Sequence, residues 1–225
     1  MNDEFAQELA QMALVLHEQP DVEQTAERFL QFAVNAIDCR HAGLVLVHRG
    51  GRLETAAATD PVVATSDRLQ AQFGEGPSFT VIKDSDSVLI RDTAVETRWP
   101  GWSSRAAALG LRSVLSVRLR TPTSTIGALN LFDTEVDRFG IEDDAVAQLL
   151  ANHAAVAVAN ARSESTLWRA IDARKLIGQA QGILMERFDL TDEQAFAVLR
   201  RYSQDNNVKL RDVAQRLIDT RKLPG

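Results

Sequence analysis

The residues of this chain that could do chemistry are few and do not converge. Cys39 is the single cysteine, so no internal disulfide, CxxC metal site or multi-cysteine redox cycle can be built. His41, His48 and His153 have no ligand spacing among themselves and read as structural or surface residues, so the sequence names no cofactor. Ser78 follows Gly74-Glu75-Gly76-Pro77, but no G-x-S-x-G elbow surrounds it. The same glycines are too closely spaced for a phosphate loop and lack its lysine. No nucleophile is paired with a base. The expectation is a protein that binds rather than catalyses.

What it binds is written in the charge. The chain has 25 Lys and Arg against 31 Asp and Glu, a net of −6. Residues 165–225 depart from that balance, with 11 Lys and Arg against 8 Asp and Glu, a net of +3, which leaves −9 on residues 1–164. An acidic body with a mildly basic end fits binding of an anionic polymer at that end only.

Three amphipathic helices make up the basic end. The first runs through Leu167 to about Arg187, with Leu167, Ile171, Ile177, Ala180 and Leu184 at helical spacing and Leu176, Ile183 and Met185 widening the stripe. Gly182 lies inside it and costs about 1 kcal/mol relative to Ala. Such a glycine marks either tight helix packing or close approach of a nucleic-acid loop. Thr191 with Gln194 forms a capping-box pattern that opens a second helix, whose apolar face is Ala195, Phe196, Val198 and Leu199 and whose last turn holds Arg200, Arg201 and Tyr202. Asn207 is positioned to cap a third, which buries Leu210, Val213, Ala214, Leu217 and Ile218 and exposes Lys209, Arg211, Arg216, Arg221 and Lys222.

The run I-G-x-A-x-G-I-L-M at 177–185, the step from Ala195 to Leu199, and V-K-L-R-D-V-A at 208–214 resemble an ANTAR domain, a three-helix RNA-binding module of transcription antitermination regulators. The resemblance implies a domain over 162–222 that dimerises and holds tandem RNA hairpins. It implies an RNA surface of Lys175, Gln179, Gly182, Arg200, Ser203, Lys209 and Arg211. Lys175, Gln179 and Gly182 fall on one helical face. Position 181 departs from the pattern: it is Gln where many relatives carry Lys, removing one phosphate contact.

The front of the chain alternates helix and strand. Asp21 caps a helix with Val22, Ala26, Phe29, Leu30, Ala33 and Ile37 inward. Strands are expected at 42–47, 53–59, 87–90, 113–120 and 125–132, with a turn at Gly50-Gly51 and a hairpin turned at 121–124. The fold class is therefore α+β, an antiparallel sheet with flanking helices. The segments Gly74-Glu75-Gly76-Pro77-Ser78, Arg98-Trp99-Pro100, Gly110 to Leu115 and Ile126 to Leu131 resemble, in order and spacing, a GAF domain, a small-molecule sensor related to PAS. The resemblance covers 12–161. Neither the N-K…F…D-E arrangement of cyclic-nucleotide GAF domains nor a bilin-attaching cysteine is present. The expected pocket lining is Phe73, Ser78, Phe79, Trp99, Trp102 and Ser116, with both tryptophans on one face of one helix, or alternatively in the core.

No Pro or Gly separates the two regions, and helical sequence is continuous from Glu142, so residues 142–175 form a shared connecting helix to the all-α end. A heptad-like seam of Val146, Leu149, His153, Val156 and Asn160 continues to Ser163 and Leu167. It predicts a coiled-coil homodimer, or packing of those residues on the sheet. The expected protein is a cytoplasmic, signal-responsive RNA-binding antitermination regulator. It has an acidic start at Met1-Asn2-Asp3-Glu4 unlike a signal peptide and no membrane span. Its partners are RNA hairpins, a second copy and an unknown small-molecule signal. A DNA-binding regulator or a ligand-binding scaffold without nucleic acid are the alternatives.

Overall fold

The structure, a computed structural model, describes residues 3–19 and 21–222, so the opening Met1-Asn2 lies outside the described residues. The chain divides into two compact units, Met1–Arg162 and Ser163–Gly225. In the first unit, strands β1 (His41–Val47), β2 (Leu53–Ala58), β3 (Ser87–Ile90), β4 (Ser113–Arg120) and β5 (Thr125–Asp133) form one sheet in the order β2-β1-β5-β4-β3. Every pairing is antiparallel. The expected strands are all present, and the residues between β1 and β2 form a short 3-10 turn at Arg49–Gly51.

Strand alternation sorts this sheet's two faces. Leu129 and Leu131 of β5, with Leu115, Val117 and Leu119 of β4, join the larger core. Helices α1 (Asp3–His17) and α2 (Val22–Ile37) and the start of α6 (Ile141–Phe188) supply the rest of it. The intervening residues, Ala128 and Phe132 of β5 and Val114 of β4, face a second core built by α3 (Pro61–Phe73), α4 (Pro77–Lys83) and α5 (Pro100–Ala108). Ser116 and Asn130 belong to this second face and are opposite one another in the β4–β5 register. Two polar residues are thus buried side by side in an apolar sheet, which needs partners from the covering helices.

Helix starts follow their caps. Asp21 accepts from the Gln24 amide at 2.9 Å, as expected. Asp60 caps α3 and Pro61 fills its first position, where no amide partner is required. Among the described residues, no helix is long and apolar enough to cross a membrane.

In the second unit, the end of α6 packs with α7 (Asp192–Asp205) and α8 (Leu210–Thr220) around Ala180, Leu184, Ala195, Leu199, Val213, Ala214 and Leu217. The Thr191/Gln194 capping box is formed. Several sequence expectations need correction. Helix α7 extends a turn beyond Tyr202, to Asp205. Asn207 does not cap α8; it takes a left-handed conformation, and Lys209 occupies the cap position without a side-chain bond. Leu167, Ile171 and Phe196, expected on buried faces, are exposed.

Candidate functional site

Two sites emerge, one in each unit. In the second, Lys175, Gln179 and Gly182 are all exposed on α6. Gln179 and Gly182 line a groove of about 480 Å³ with Ile183, Glu186, Ile218 and Arg221. A Cβ on Gly182 would meet no atom within 4 Å, so packing inside this unit does not require the glycine. Arg187 donates to the Arg221 carbonyl, tying the end of α8 to α6. Gln181 donates to the Asp192 carboxylate at 2.6 Å and so fastens α6 to the start of α7.

Lys209 and Arg211 are exposed at the opposite end of α8 from that groove. The eleven residues of α8 separate Lys209 from Arg221, twelve rises or about 18 Å at 1.5 Å per residue. Gln179 and Gly182 therefore share their groove with Arg221, which helical spacing alone places only among the exposed bases. Arg200 is exposed on α7. Ser203 is half-buried, and its hydroxyl donates to the Val208 carbonyl at 2.6 Å, closing the α7–α8 turn. Its proton is committed to the fold.

The first unit holds a cavity of about 220 Å³ lined by residues of β1, β2, α3 and α4, among them Thr55, Asp67, Arg68, Gln70 and Ser78. The segment from Gly74 to Ser78 is what assembles it. Gly74 ends α3 in the left-handed region. Glu75 turns to the start of α5, where its carboxylate accepts from the amides of Gly101 at 2.6 Å and Trp102 at 3.0 Å. Gly76 has φ of 134°, and a Cβ there would run into the Gln70 side chain at 2.4 Å. The glycine thus makes room for Gln70, whose carboxamide oxygen accepts from the Ser78 amide at 2.9 Å. Behind Ser78, Asn130 donates to the Ser78 hydroxyl at 2.8 Å and accepts from the Ser116 hydroxyl at 2.7 Å. Asn130 also donates weakly to Asp67 at 3.4 Å, and Thr55 donates to Asp67 at 2.9 Å. Burial pushes the Asp67 carboxyl up to about 7, against smaller opposing effects of the Thr55 and Asn130 bonds and of Arg68.

Of the six residues expected to line a pocket, Ser78 does so, and Ser116 reaches it through Asn130. The others do not. Trp102 is core, with its indole N–H on Ser66 at 3.1 Å. Trp99 is the cap residue of α5 rather than part of its face, and packs edge-on against Trp102 with centroids 6.3 Å apart. Phe73 is at the surface under the Arg105 guanidinium, and Lys83 lies over Phe79. Asp67, Gln70, Thr55 and Asn130 were missed by sequence reasoning. The available signal was Asn130, a lone amide inside the otherwise apolar TIGALNLF strand.

Cys39 is buried and its thiol is pushed up to about 12, first by burial and then by nearby Asp133. Among the described residues, no group of three or more His, Cys, Asp or Glu could hold a metal ion. On α6 within the first unit, Ala147, Leu150, Ala151, Ala154 and Val158 are buried in the larger core, and Val146 and Leu149 pack partly against it. His153, Val156 and Asn160 are exposed on the other side, Val156 by 51%.

Similarities to known proteins agree with this division. The GAF domain family matches residues 19–159 and the ANTAR domain family matches residues 165–218. No curated protein sequence matches the chain. Among solved structures, the GAF domain of a phosphoenolpyruvate-protein phosphotransferase from Coxiella burnetii is 18% identical, with a TM-score of 0.57 over 72% of this chain and 96% of that one. The free methionine-R-sulfoxide reductase from Neisseria meningitidis is 20% identical, with a TM-score of 0.53 over 69% of this chain and 89% of that one. At these identities the likeness is one of fold. With its GAF match spanning more than half its length and an ANTAR match following, the chain belongs to the GAF domain family and is a GAF–ANTAR two-domain regulator, a sensor unit followed by an RNA-binding one.

Proposed function

We propose that this protein is a signal-responsive transcription antitermination regulator. Two ANTAR units of a homodimer hold tandem RNA hairpins, and a small molecule or partner on the GAF unit sets their affinity. The observation that carries the RNA assignment is the open face of α6 in the second unit. Gln179 and Gly182 border a groove whose glycine serves no packing need there, with Arg221 on the far wall. A splayed base can enter such a groove and meet the Gln179 amide, while Arg and Lys hold phosphates. Lys209, Arg211 and the uncapped start of α8 offer phosphate contacts about 18 Å away along that helix, so an RNA that uses both ends must extend along it.

The second copy is argued from exposed apolar surface. Val156 in the first unit, and Leu167 and Trp168 in the second, 61% and 64% exposed, stand on α6 without cover from the chain's own core. Polar His153 and Asn160 beside Val156 fit a register-setting role. The chain acts by binding: its one thiol is buried and held far from its reactive form. Sensing requires that the signal bind the RNA-competent and incompetent arrangements differently.

The test is a salt titration of hairpin-RNA affinity, with duplex DNA as comparator, for wild type, Lys209→Ala, Arg211→Ala and Gln179→Ala. Each lost phosphate contact is expected to weaken all hairpins alike and to reduce the salt slope by about 0.7–0.9. Gln179→Ala is expected to change preference among loop sequences instead. Wild-type affinity and slope in all three variants, or tighter binding to duplex DNA, would refute the assignment.

A further inference from the structure

The cavity of the GAF unit carries an unbalanced set of polar groups. Asp67 is 7% exposed and Gln70 1% exposed, and both line the same 220 Å³ space. Among the described residues, Asp67 has no ion-pair partner. Its neighbour Arg68 spends one guanidinium nitrogen on the Thr65 hydroxyl at 2.8 Å. Asp67 accepts one good hydrogen bond, from Thr55, and one long one from Asn130, which leaves acceptor capacity on both oxygens. Gln70 is the converse. Its oxygen is taken by the Ser78 amide, while its buried Nε2 has no partner. The wall of one cavity therefore offers a carboxylate without a salt bridge, which Arg68 on the same wall influences only at longer range, and an amide N–H lacking an acceptor. Most buried polar groups of folded proteins are paired.

We infer that this cavity binds a small primary amine that also carries a hydrogen-bond acceptor, its ammonium group completing Asp67 and its acceptor taking the free N–H of Gln70. The space fits a molecule of amino-acid or amino-alcohol size. Thr55 and Asn130 hold the carboxylate in place for the ammonium, and Gly76 keeps Gln70 where it can reach the acceptor. This rests on the reading of the GAF unit as a small-molecule sensor and names the class of its signal.

The experiment is a binding screen on the full chain by thermal shift and calorimetry. It uses pairs of probes differing at one group: L-amino acids against the 2-hydroxy acids of the same skeleton, and ethanolamine against ethylene glycol. At least one amine is expected to bind at millimolar concentration or better, with its hydroxyl counterpart silent. Asp67→Asn is expected to weaken that amine about ten- to a hundredfold, the size of one lost charge-assisted hydrogen bond. The paired probes need only wild type, so the inference stays testable if the variant does not fold. Failure of every amine, equal binding of amine and hydroxyl partners, or undiminished binding by a folded Asp67→Asn variant would overturn it. Binding by hydroxy acids alone would overturn the amine assignment and leave the sensing reading intact. An amine that binds through Asp67 without altering hairpin affinity would uphold the site and remove the sensing reading.

Discussion

Replacing Asp67 with Asn should change how the stability of the GAF unit depends on pH. The carboxyl ordinarily titrates at 3.8 and burial raises it to about 7 in the folded unit. Below pH 3.8 both the folded and unfolded chains hold the proton, and the folded unit has its full stability. Between 3.8 and about 7 the unfolded chain gives up the proton and the folded one keeps it, so stability falls as pH rises. Above about 7 the folded unit holds a buried carboxylate and sits on a lower plateau. At about 1.4 kcal/mol per pH unit, the difference between plateaus is about 4 kcal/mol. The carboxamide introduced by Asp67→Asn is neutral throughout and nearly the same shape, still able to bond Thr55 and Asn130, so the variant should lack this decline. Near pH 4 it should be within about 1 kcal/mol of wild type, the scale of one neutral hydrogen bond. Near pH 8 it should be the more stable by up to about 4 kcal/mol. Urea unfolding followed by the fluorescence of buried Trp99 and Trp102 reads this unit. Parallel wild-type and variant curves between pH 4 and 8 would show that Asp67 is not desolvated, and would remove the physical reason for an unpaired carboxylate in the cavity. A bound amine should act oppositely to the proton: it should stabilise wild type most above pH 7, where the carboxylate is charged.

Glu75→Ala removes the charged acceptor of two amides at the start of α5 and should cost the GAF unit about 1–3 kcal/mol in urea unfolding; a cost below about 0.5 kcal/mol would mean water replaces it freely. Gly182→Ala should raise the thermal stability of the ANTAR unit by up to about 1 kcal/mol, because the new methyl meets open space, while weakening hairpin binding; a stabilised variant with unchanged affinity would place the RNA elsewhere. Val156→Glu should give a monomer in sedimentation with the GAF unit's unfolding unchanged, since Val156 is exposed. Leu149→Glu is the poorer probe, because Leu149 packs partly on the unit's own core and its loss would confound assembly with folding.

What the sequence disclosed and what it withheld follow from how each element is stabilised. The strands β4 and β5 were legible because apolar residues lie on both faces between clear turns, and the Thr191/Gln194 box because capping is a local interaction. Helix α3 was invisible to hydrophobic periodicity. Its buried face is Val63, Ser66, Asp67 and Gln70, three of four polar, so the pattern that usually marks a helix is absent where the cavity is built. Its remaining signals were Asp60-Pro61 at one end and Gly74 at the other, which say that a helix exists but not which way it faces. The tryptophans were ambiguous in the sequence for the complementary reason. Large aromatic area fills a core as readily as it lines a pocket, and Trp102 satisfies its N–H on Ser66 without any ligand. In the ANTAR unit, one-face spacing put Gln179 and Gly182 together on α6, where both are exposed and border one groove. The partner across the groove is set by how α8 packs, through the Arg187–Arg221 bond, and no spacing within a single helix carries that. In both units, then, the residues that define the site do so through contacts between elements far apart in sequence. A polar residue that interrupts an apolar pattern, as Asn130 does in β5, is a better pointer to the cavity of the GAF unit than an aromatic: burying it unpaired is costly unless something is there to meet it.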